Sequence, residues 1–341
     1  MASKTAPATS TASDRPDKRT AIAQALLDGA APHEIEAHLV AAGFSAAAAR
    51  YEADRARQDP LVDAALRLRN RLEKRDWTLD IYRKLAALDT DTTIPTVDAI
   101  EPERFYRDFY RTNRPVKLTG LVDHWPALGR WTLDYLESKV GEAVVELQAQ
   151  RGTAGDYEIA KDRHKRHARM ADVIGLLRDG HQGNDFYVTA YNDTTNKQTL
   201  APLWDDLGPV SILQPSGGRD GFFWMGPKGT VTPFHHDLTN NLLVQVAGRK
   251  LVRMVPAYDV ARMRNALHCF SDWSAEALDA LADDPTAPKV VSCEIGPGEA
   301  VFLPIGWWHH VVGLDMTISL SFTNFAADND FYSDYLADPR F

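Results

Sequence analysis

Between residues 184 and 325 the chain is a succession of short apolar and β-branched runs: DFYVTAY, GFFWMG, TPFHHDL, NLLVQVAG, RKLVRMVPA, KVVSCEI, AVFLPI, HHVVGL and TISLSFTNF. Gly, Pro, Asp and Asn punctuate them, as they do strands joined by tight turns. A parallel sheet needs a crossover, usually a helix, between successive strands, and no helical stripe alternates with these runs. The pattern predicts a mainly β fold: two antiparallel sheets rolled face to face in a double-stranded β-helix, or jelly roll, with flanking helices.

The front of the chain differs. Residues 1–20 are rich in Ser, Thr, Ala and Pro and are expected to form a disordered tail. Residues 21–90 show helical spacing. Ile22 and Leu26 precede Gly29, Ile35 and Leu39 lie between Pro32 and Gly43, and SAAAARYEADRARQ follows. After Pro60, a stripe of Leu61, Ala65, Leu68 and Leu72 is continued by Trp77, Ile81, Leu85 and Leu88. This helical N-terminal region is expected to serve as a lid or an oligomer surface, which admits a homodimer through these helices. A separate partner-binding module is the rival. TDTTIPTVDAI, residues 90–100, has no stripe and is read as a linker. The main domain is placed at 97–341. It opens with a helix (ERFYRDFYRTNRP), a strand (VKLTGLV) and a second helix (WTLDYLESKVG).

Composition narrows the function. The formal net charge of −9 provides no overall basic field, so nucleic acid is not an expected partner. Two cysteines, Cys269 and Cys293, are too few for a thiolate zinc site and fit a reducing, cytoplasmic setting. No apolar run approaches the roughly 18 residues of a membrane span. The first residues lack the apolar stretch of a signal peptide, so neither export nor membrane attachment is expected.

The chain contains one His-x-Asp, in TPFHHDL. Residues two apart on a strand share a face, so His235 and Asp237 point one way and His236 the other. A third ligand is available in His309, which follows GPGEAVFLPIGWW: a strand, a Pro-Ile-Gly bend and two tryptophans. His310 is then its outward neighbour. Two imidazoles and a carboxylate on one side of a metal form the facial triad of non-haem Fe(II) oxygenases, with positions left open for a cosubstrate and O2. Zinc is more often closed by a fourth protein ligand, and no cysteine is placed to supply it. The basic run KDRHKRHAR, with His164 and His167, is read as a solvated face rather than a phosphate site.

Three ordered blocks carry a family resemblance: FYRDFYRTNRPVKLTGLVDHWPALGRWTLDYL, GTVTPFHHDLTNNLLVQVAGRKLVRMVPA and GPGEAVFLPIGWWHHVVGLDMTISLSF. Over roughly residues 97–326 the chain resembles the JmjC/cupin-like Fe(II)- and 2-oxoglutarate-dependent oxygenases. Within them it is most similar to the branch typified by factor-inhibiting HIF, an asparaginyl hydroxylase. The resemblance implies that His235 and Asp237 of T-P-x-H-x-D, with His309 of W-W-H, bind iron. It implies that Lys250, the lysine of Q-x-x-G-x-K, clamps the distal carboxylate of 2-oxoglutarate. A dicarboxylate in a narrow barrel needs a buried cation, and lysine is a compact one. Thr232 and Tyr187 match residues that hydrogen-bond the same carboxylate, and Asn241 matches an asparagine near the cosubstrate. Where that branch has an asparagine near the iron, Ser321 stands here, with Asn324 three residues on. Thr323 replaces its substrate-lining tryptophan. No long helical pair follows NDFYSDYLADPRF, so neither asparagine specificity nor that dimer mode is inherited.

The implied activity is hydroxylation of a protein or peptide side chain, coupled to decarboxylation of 2-oxoglutarate, with Fe(II) and O2. Three rivals remain. The chain could be a non-catalytic metal-binding cupin serving as a binding or sensor module. It could be a related oxygenase acting on RNA or a small molecule. It could be a zinc or manganese isomerase, which would want more His or Glu ligands near the first motif.

Overall fold

A computed structural model describes residues 17–89, 93–153, 155–189, 193–215, 221–265 and 267–335. The chain divides into two compact units, Met1–Tyr82 and Arg83–Phe341. Residues 1–16 of the expected tail lie outside the described residues. The end of that segment is helical, because α1 (Lys18–Leu27) starts there. The Asp17 carboxylate accepts from the N–H groups of Arg19 and Thr20 and caps the helix.

The first unit is helical as expected, with α2 (Ile35–Ala41), α3 (Ala46–Arg57) and most of α4 (Pro60–Ala86). Gly29 (φ +92°) and Gly43 (φ +87°) end α1 and α2 in the left-handed region, where a side chain would be strained. Their followers close the turns: Ala30 N–H to Ala25 O at 2.9 Å and Phe44 N–H to Leu39 O at 3.1 Å. Ile22, Ile35 and Leu39 pack on Ala49, Ala53 and Ala56. The α4 stripe is not core: none of its 27 residues is buried, and Leu61 is 76% exposed. Nor is it one stripe. At 3.6 residues per turn, Trp77 and Ile81 sit about 140–180° around the helix from Leu72.

The second unit holds the predicted roll. β1 (Thr96–Asp98) forms inside the segment read as a linker and pairs parallel with β2 (Val116–Thr119). β3 (Val144–Ala149), β4 (Lys165–Arg169) and β5 (Phe186–Tyr187) form a small antiparallel sheet in the order β4-β3-β5. β4 is the basic run, whose charge masked it as a strand. Lys165 pairs with Glu146 and Asp162, and Arg169 with Asp172, while His167 Nε2 stands 3.4 Å from Glu146.

The remaining strands are β6 (Phe222–Gly226), β7 (Val231–His236), β8 (Asn241–Ala247), β9 (Lys250–Val255), β10 (Val291–Ile295), β11 (Ala300–Leu303), β12 (Trp308–Gly313) and β13 (Thr317–Phe322). They build one sheet ordered β1-β2-β11-β8-β13-β6 and another ordered β10-β9-β12-β7. Alternation sorts their side chains. Leu242, Val244 and Phe302 turn outward onto Phe105, Leu136 and Ile174. Leu243, Val301 and Leu303 turn inward to meet Val252, Met254 and Val311. Phe234 and Trp308 back the smaller sheet, under Met263 and Leu278. Among the described residues no helix is long and apolar enough to cross a membrane.

One irregularity sets the site. His235 pairs with His309, but Thr232 pairs with Val311, so three steps of β7 oppose two of β12. Pro233 lies in this bulge, where a residue without an N–H loses no ladder bond. Without the extra residue, Thr232 and His235 would face opposite sides. With it, both face the interior.

Candidate metal centre and cofactor pocket

The His235 and His309 rings lie 4.2 Å apart between centroids, on the paired strands β7 and β12. Asp237 is the first residue past β7, two along from His235, and its carboxylate lies beside the His235 ring. Its Oδ1 is 3.5 Å from His235 Nε2 and its Oδ2 is 3.8 Å from His309 Nε2. One donor atom from each residue lies within 4.8 Å of the others, a spacing that could hold a metal ion. Cys269 borders the cavity but is not part of this group.

The imidazoles are oriented for coordination. His235 Nδ1 contacts the Pro233 carbonyl at 2.9 Å and His309 Nδ1 contacts the Trp307 carbonyl at 3.1 Å. A carbonyl only accepts, so Nδ1 carries the proton and Nε2 keeps its lone pair toward the shared space. Burial, and then the charge of His235, pushes His309 down to about 4. Burial pushes Asp237 up, but His309, His235 and Asn241 outweigh it and hold the carboxyl well below the usual range. A neutral imidazole and an ionised carboxylate are the forms a divalent cation takes. For His235, burial pushes down and the hydrogen bond and charge of Asp237 win, raising it. A cation in place of that proton keeps the same carboxylate partner.

The other two histidines turn away, as parity required. His236 stands edge-on to Trp308 at 4.7 Å, while still bordering the cavity, and His310 packs on Phe234 at 5.3 Å.

A cavity of about 250 Å³ runs from this cluster, and all eight expected residues line it: His235, Asp237, His309, Lys250, Thr232, Tyr187, Asn241 and Ser321. Lys250 is 2% exposed and donates to the Tyr187 hydroxyl at 3.0 Å. Among the described residues no carboxylate is within ion-pair distance of it. Burial alone pushes its ammonium down to about 7, and pushes the Tyr187 phenol well up.

Asn241 does not reach toward Lys250. Its Nδ2 donates to Asp237 Oδ2 at 2.9 Å, so it steadies the carboxylate at the metal end. The corner left open between Ser321 and Asn324 is settled in position. Ser321 lines the cavity, whereas Asn324 donates to the Gln214 carbonyl and does not. Thr323 also lines it. Sequence reasoning missed Trp224, whose Nε1 donates to Ser321 Oγ at 2.9 Å and whose ring stands 6.0 Å from Lys250 Nζ. Its alternation with Phe222 in GFFWMG, both inward, was the available signal.

A double-sheet β roll with two imidazoles and a carboxylate at one end of its cavity, and an unpaired buried lysine at the other, defines a metal-binding cupin-type protein. The family described as the cupin-like domain matches residues 102–330, and the chain belongs to it. It is 29% identical over 233 residues to lysine-specific demethylase JMJ30 of Arabidopsis thaliana, covering 64% of this chain and 52% of that protein. It is 26% identical over 254 residues to the human bifunctional peptidase and (3S)-lysyl hydroxylase JMJD7, covering 65% of this chain and 80% of that one. It is 24% identical over 254 residues to tRNA wybutosine-synthesizing protein 5 of Gallus gallus, covering 67% and 76%. The chain spans about half the length of the first of these relatives.

Proposed function

We propose that the protein is an Fe(II)- and 2-oxoglutarate-dependent oxygenase that hydroxylates a protein or peptide side chain. The observation that carries this is Lys250: a buried ammonium without a counter-ion, across a small cavity from three convergent metal donors. An isolated buried cation is costly, and an anionic ligand relieves the cost. A dicarboxylate with a chelating keto-acid end satisfies both ends at once.

When bound, iron with 2-oxoglutarate and O2 supplies the oxidising power, and the protein supplies placement. His235, Asp237 and His309 would hold the metal, beside the cavity they line. Their Nδ1 contacts fix the rings, and Asn241 fixes the carboxylate. Lys250 and the hydroxyls of Tyr187 and Thr232 receive the far carboxylate. Trp224 and Phe222 wall the cavity and keep water from the reacting C–H bond.

A protein substrate is favoured by relatives named as lysine demethylases and a lysyl hydroxylase. An RNA substrate is supported by one of these relatives, but the net charge is −9, and Lys165 and Arg169 of β4 are paired with neighbouring carboxylates. No finding favours asparagine over other side chains.

The test supplies purified protein with iron, ascorbate, 2-oxoglutarate and a broad peptide panel, and follows succinate together with product mass. Succinate formed in step with a gain of one oxygen supports the proposal. Failure of every peptide to couple 2-oxoglutarate loss to oxidation sinks it.

A further inference from the structure

Behind Tyr187 lies an ion pair that the chemistry above does not use. Arg151, just after β3, donates from Nη2 to Glu158 Oε1 at 2.7 Å, and the two side chains are 0% and 4% exposed. The same Nη2 donates to the Val231 carbonyl at 2.8 Å, immediately before Thr232. The guanidinium carbon stands 5.1 Å from the centre of the Tyr187 ring and 4.4 Å from that of Tyr157. The Tyr157 hydroxyl reaches the Val231 carbonyl at 3.3 Å, and Asn184 Oδ1 accepts from the Val231 N–H at 2.9 Å.

Such a pair is a poor source of stability. Removing two charges from water roughly cancels their attraction, and this pair leaves work undone. Nε and Nη1 of Arg151 and Oε2 of Glu158 are buried without a protein partner. Apolar residues of similar shape would serve the core as well. What they would not do is grip the backbone beside one cavity residue while stacking on the ring of another.

We infer that Arg151 is a positioning residue for 2-oxoglutarate. Its cation, standing over the Tyr187 ring, sets that ring, and its Nη2 sets the start of β7, hence Thr232. The two hydroxyls thereby stay aimed at the place beside Lys250 where the far carboxylate binds. Arg151 acts through these residues and does not line the cavity itself. Glu158 keeps the guanidinium paired and in plane. The task suits arginine, whose rigid fork fixes the direction of its donors while its cation stands over the ring; an ammonium is a point charge without that fixed geometry. The inference rests on the assignment of the cavity to 2-oxoglutarate.

The experiment loads the full chain with Mn(II) and titrates 2-oxoglutarate and, separately, oxalate. Oxalate chelates a metal as the keto-acid end does, but has no far carboxylate. Two variants are compared with wild type. Arg151→Lys keeps the charges balanced, and Arg151→Met with Glu158→Gln removes both. The expected result is a Kd for 2-oxoglutarate raised about ten-fold, the scale of a lost outer-shell partner, with oxalate and Mn(II) binding unchanged. Equal weakening of oxalate and 2-oxoglutarate, or no weakening of either, overturns the inference and leaves the pair as part of the fold. Arg151→Lys decides alone where the double variant does not fold. A wild type that binds oxalate but not 2-oxoglutarate fails differently: the cavity assignment is then wrong, and the inference falls with it.

Discussion

The two ends of the cavity are built on different principles. The metal end is local and self-satisfied. Its groups come from the neighbouring strands β7 and β12 and the bend after β7, and they hold one another. The far end is assembled from scattered elements: Tyr187 from the small sheet, Trp224 from one face of the roll, Lys250 from the other. Its one cation lacks a counter-ion. The first end is thus a site complete in its donors, and the second is complete only with a ligand. The contrast predicts that damage at the two ends separates cleanly.

The largest effect belongs to the metal end. Asp237→Ala removes a donor that both histidines face. Outer partners of a metal site cost roughly 10–100-fold in affinity, and a lost ligand exceeds that. Metal should no longer co-purify, and succinate formation should fall below detection. Stoichiometric metal in this variant would remove Asp237 from the site. Lys250→Met should do the converse. Metal content stays normal, while 2-oxoglutarate affinity falls on the order of 100-fold, as when one partner of a buried charge pair is lost. The variant should also be more stable, by roughly 1–3 kcal/mol, because an apolar chain replaces a buried ammonium. A destabilised Lys250→Met would mean that the lysine serves the fold.

Acid–base behaviour sharpens the same point. Lys250 sits near 7 in the folded chain against an ordinary value of 10.5. Between these values Lys250 binds more protons in the unfolded chain, so its contribution to stability should rise with pH across that window. Only the cationic form attracts a dicarboxylate, so 2-oxoglutarate affinity should fall across it, approaching one decade per pH unit. Burial raises the Cys269 and Cys293 thiols and pulls stability the other way above their ordinary value of 9.0, so the comparison is with Lys250→Met, which shares them: relative to that variant, wild type should gain stability and lose 2-oxoglutarate affinity as pH rises.

Legibility followed the same division. His235 and Asp237 could be picked out from their spacing, and His309 from the strand, the Pro-Ile-Gly bend and the two tryptophans before it. The parity argument was correct for His236 and His310. Asp237 stands one residue past β7 and lines the same cavity as His235. Parity could not have placed Thr232 and His235 together, since that depends on the bulge at Pro233. The far end was accessible only through family resemblance. No spacing rule joins Tyr187 to a lysine 63 positions later. Arg151 and Trp224 escaped because their importance is a matter of contact, not of motif. β4 escaped because a charged, mostly exposed edge carries no apolar alternation to mark it as a strand. The apolar spacing of α4 marked a helix, which forms, but spacing alone did not tell whether its side chains are buried, and none is.

Asn241 offers the finest test, because resemblance places it near the cosubstrate without saying at which end. Its amide donates to Asp237 at 2.9 Å, and its own Oδ1 is buried without a protein partner. If the contact defines its role, Asn241→Ala frees one Asp237 oxygen to rotate. Mn(II) affinity should then fall about ten-fold, the lower range for an outer-shell partner. 2-Oxoglutarate affinity measured at saturating metal should stay near wild type. Asn241→Asp is harsher: it sets a second carboxylate against the first, and should weaken the site unless the metal draws both as ligands. Normal metal affinity with weakened 2-oxoglutarate binding in Asn241→Ala would move the residue to the far end, and the division between a self-satisfied metal site and a ligand-completed pocket would lose its boundary there.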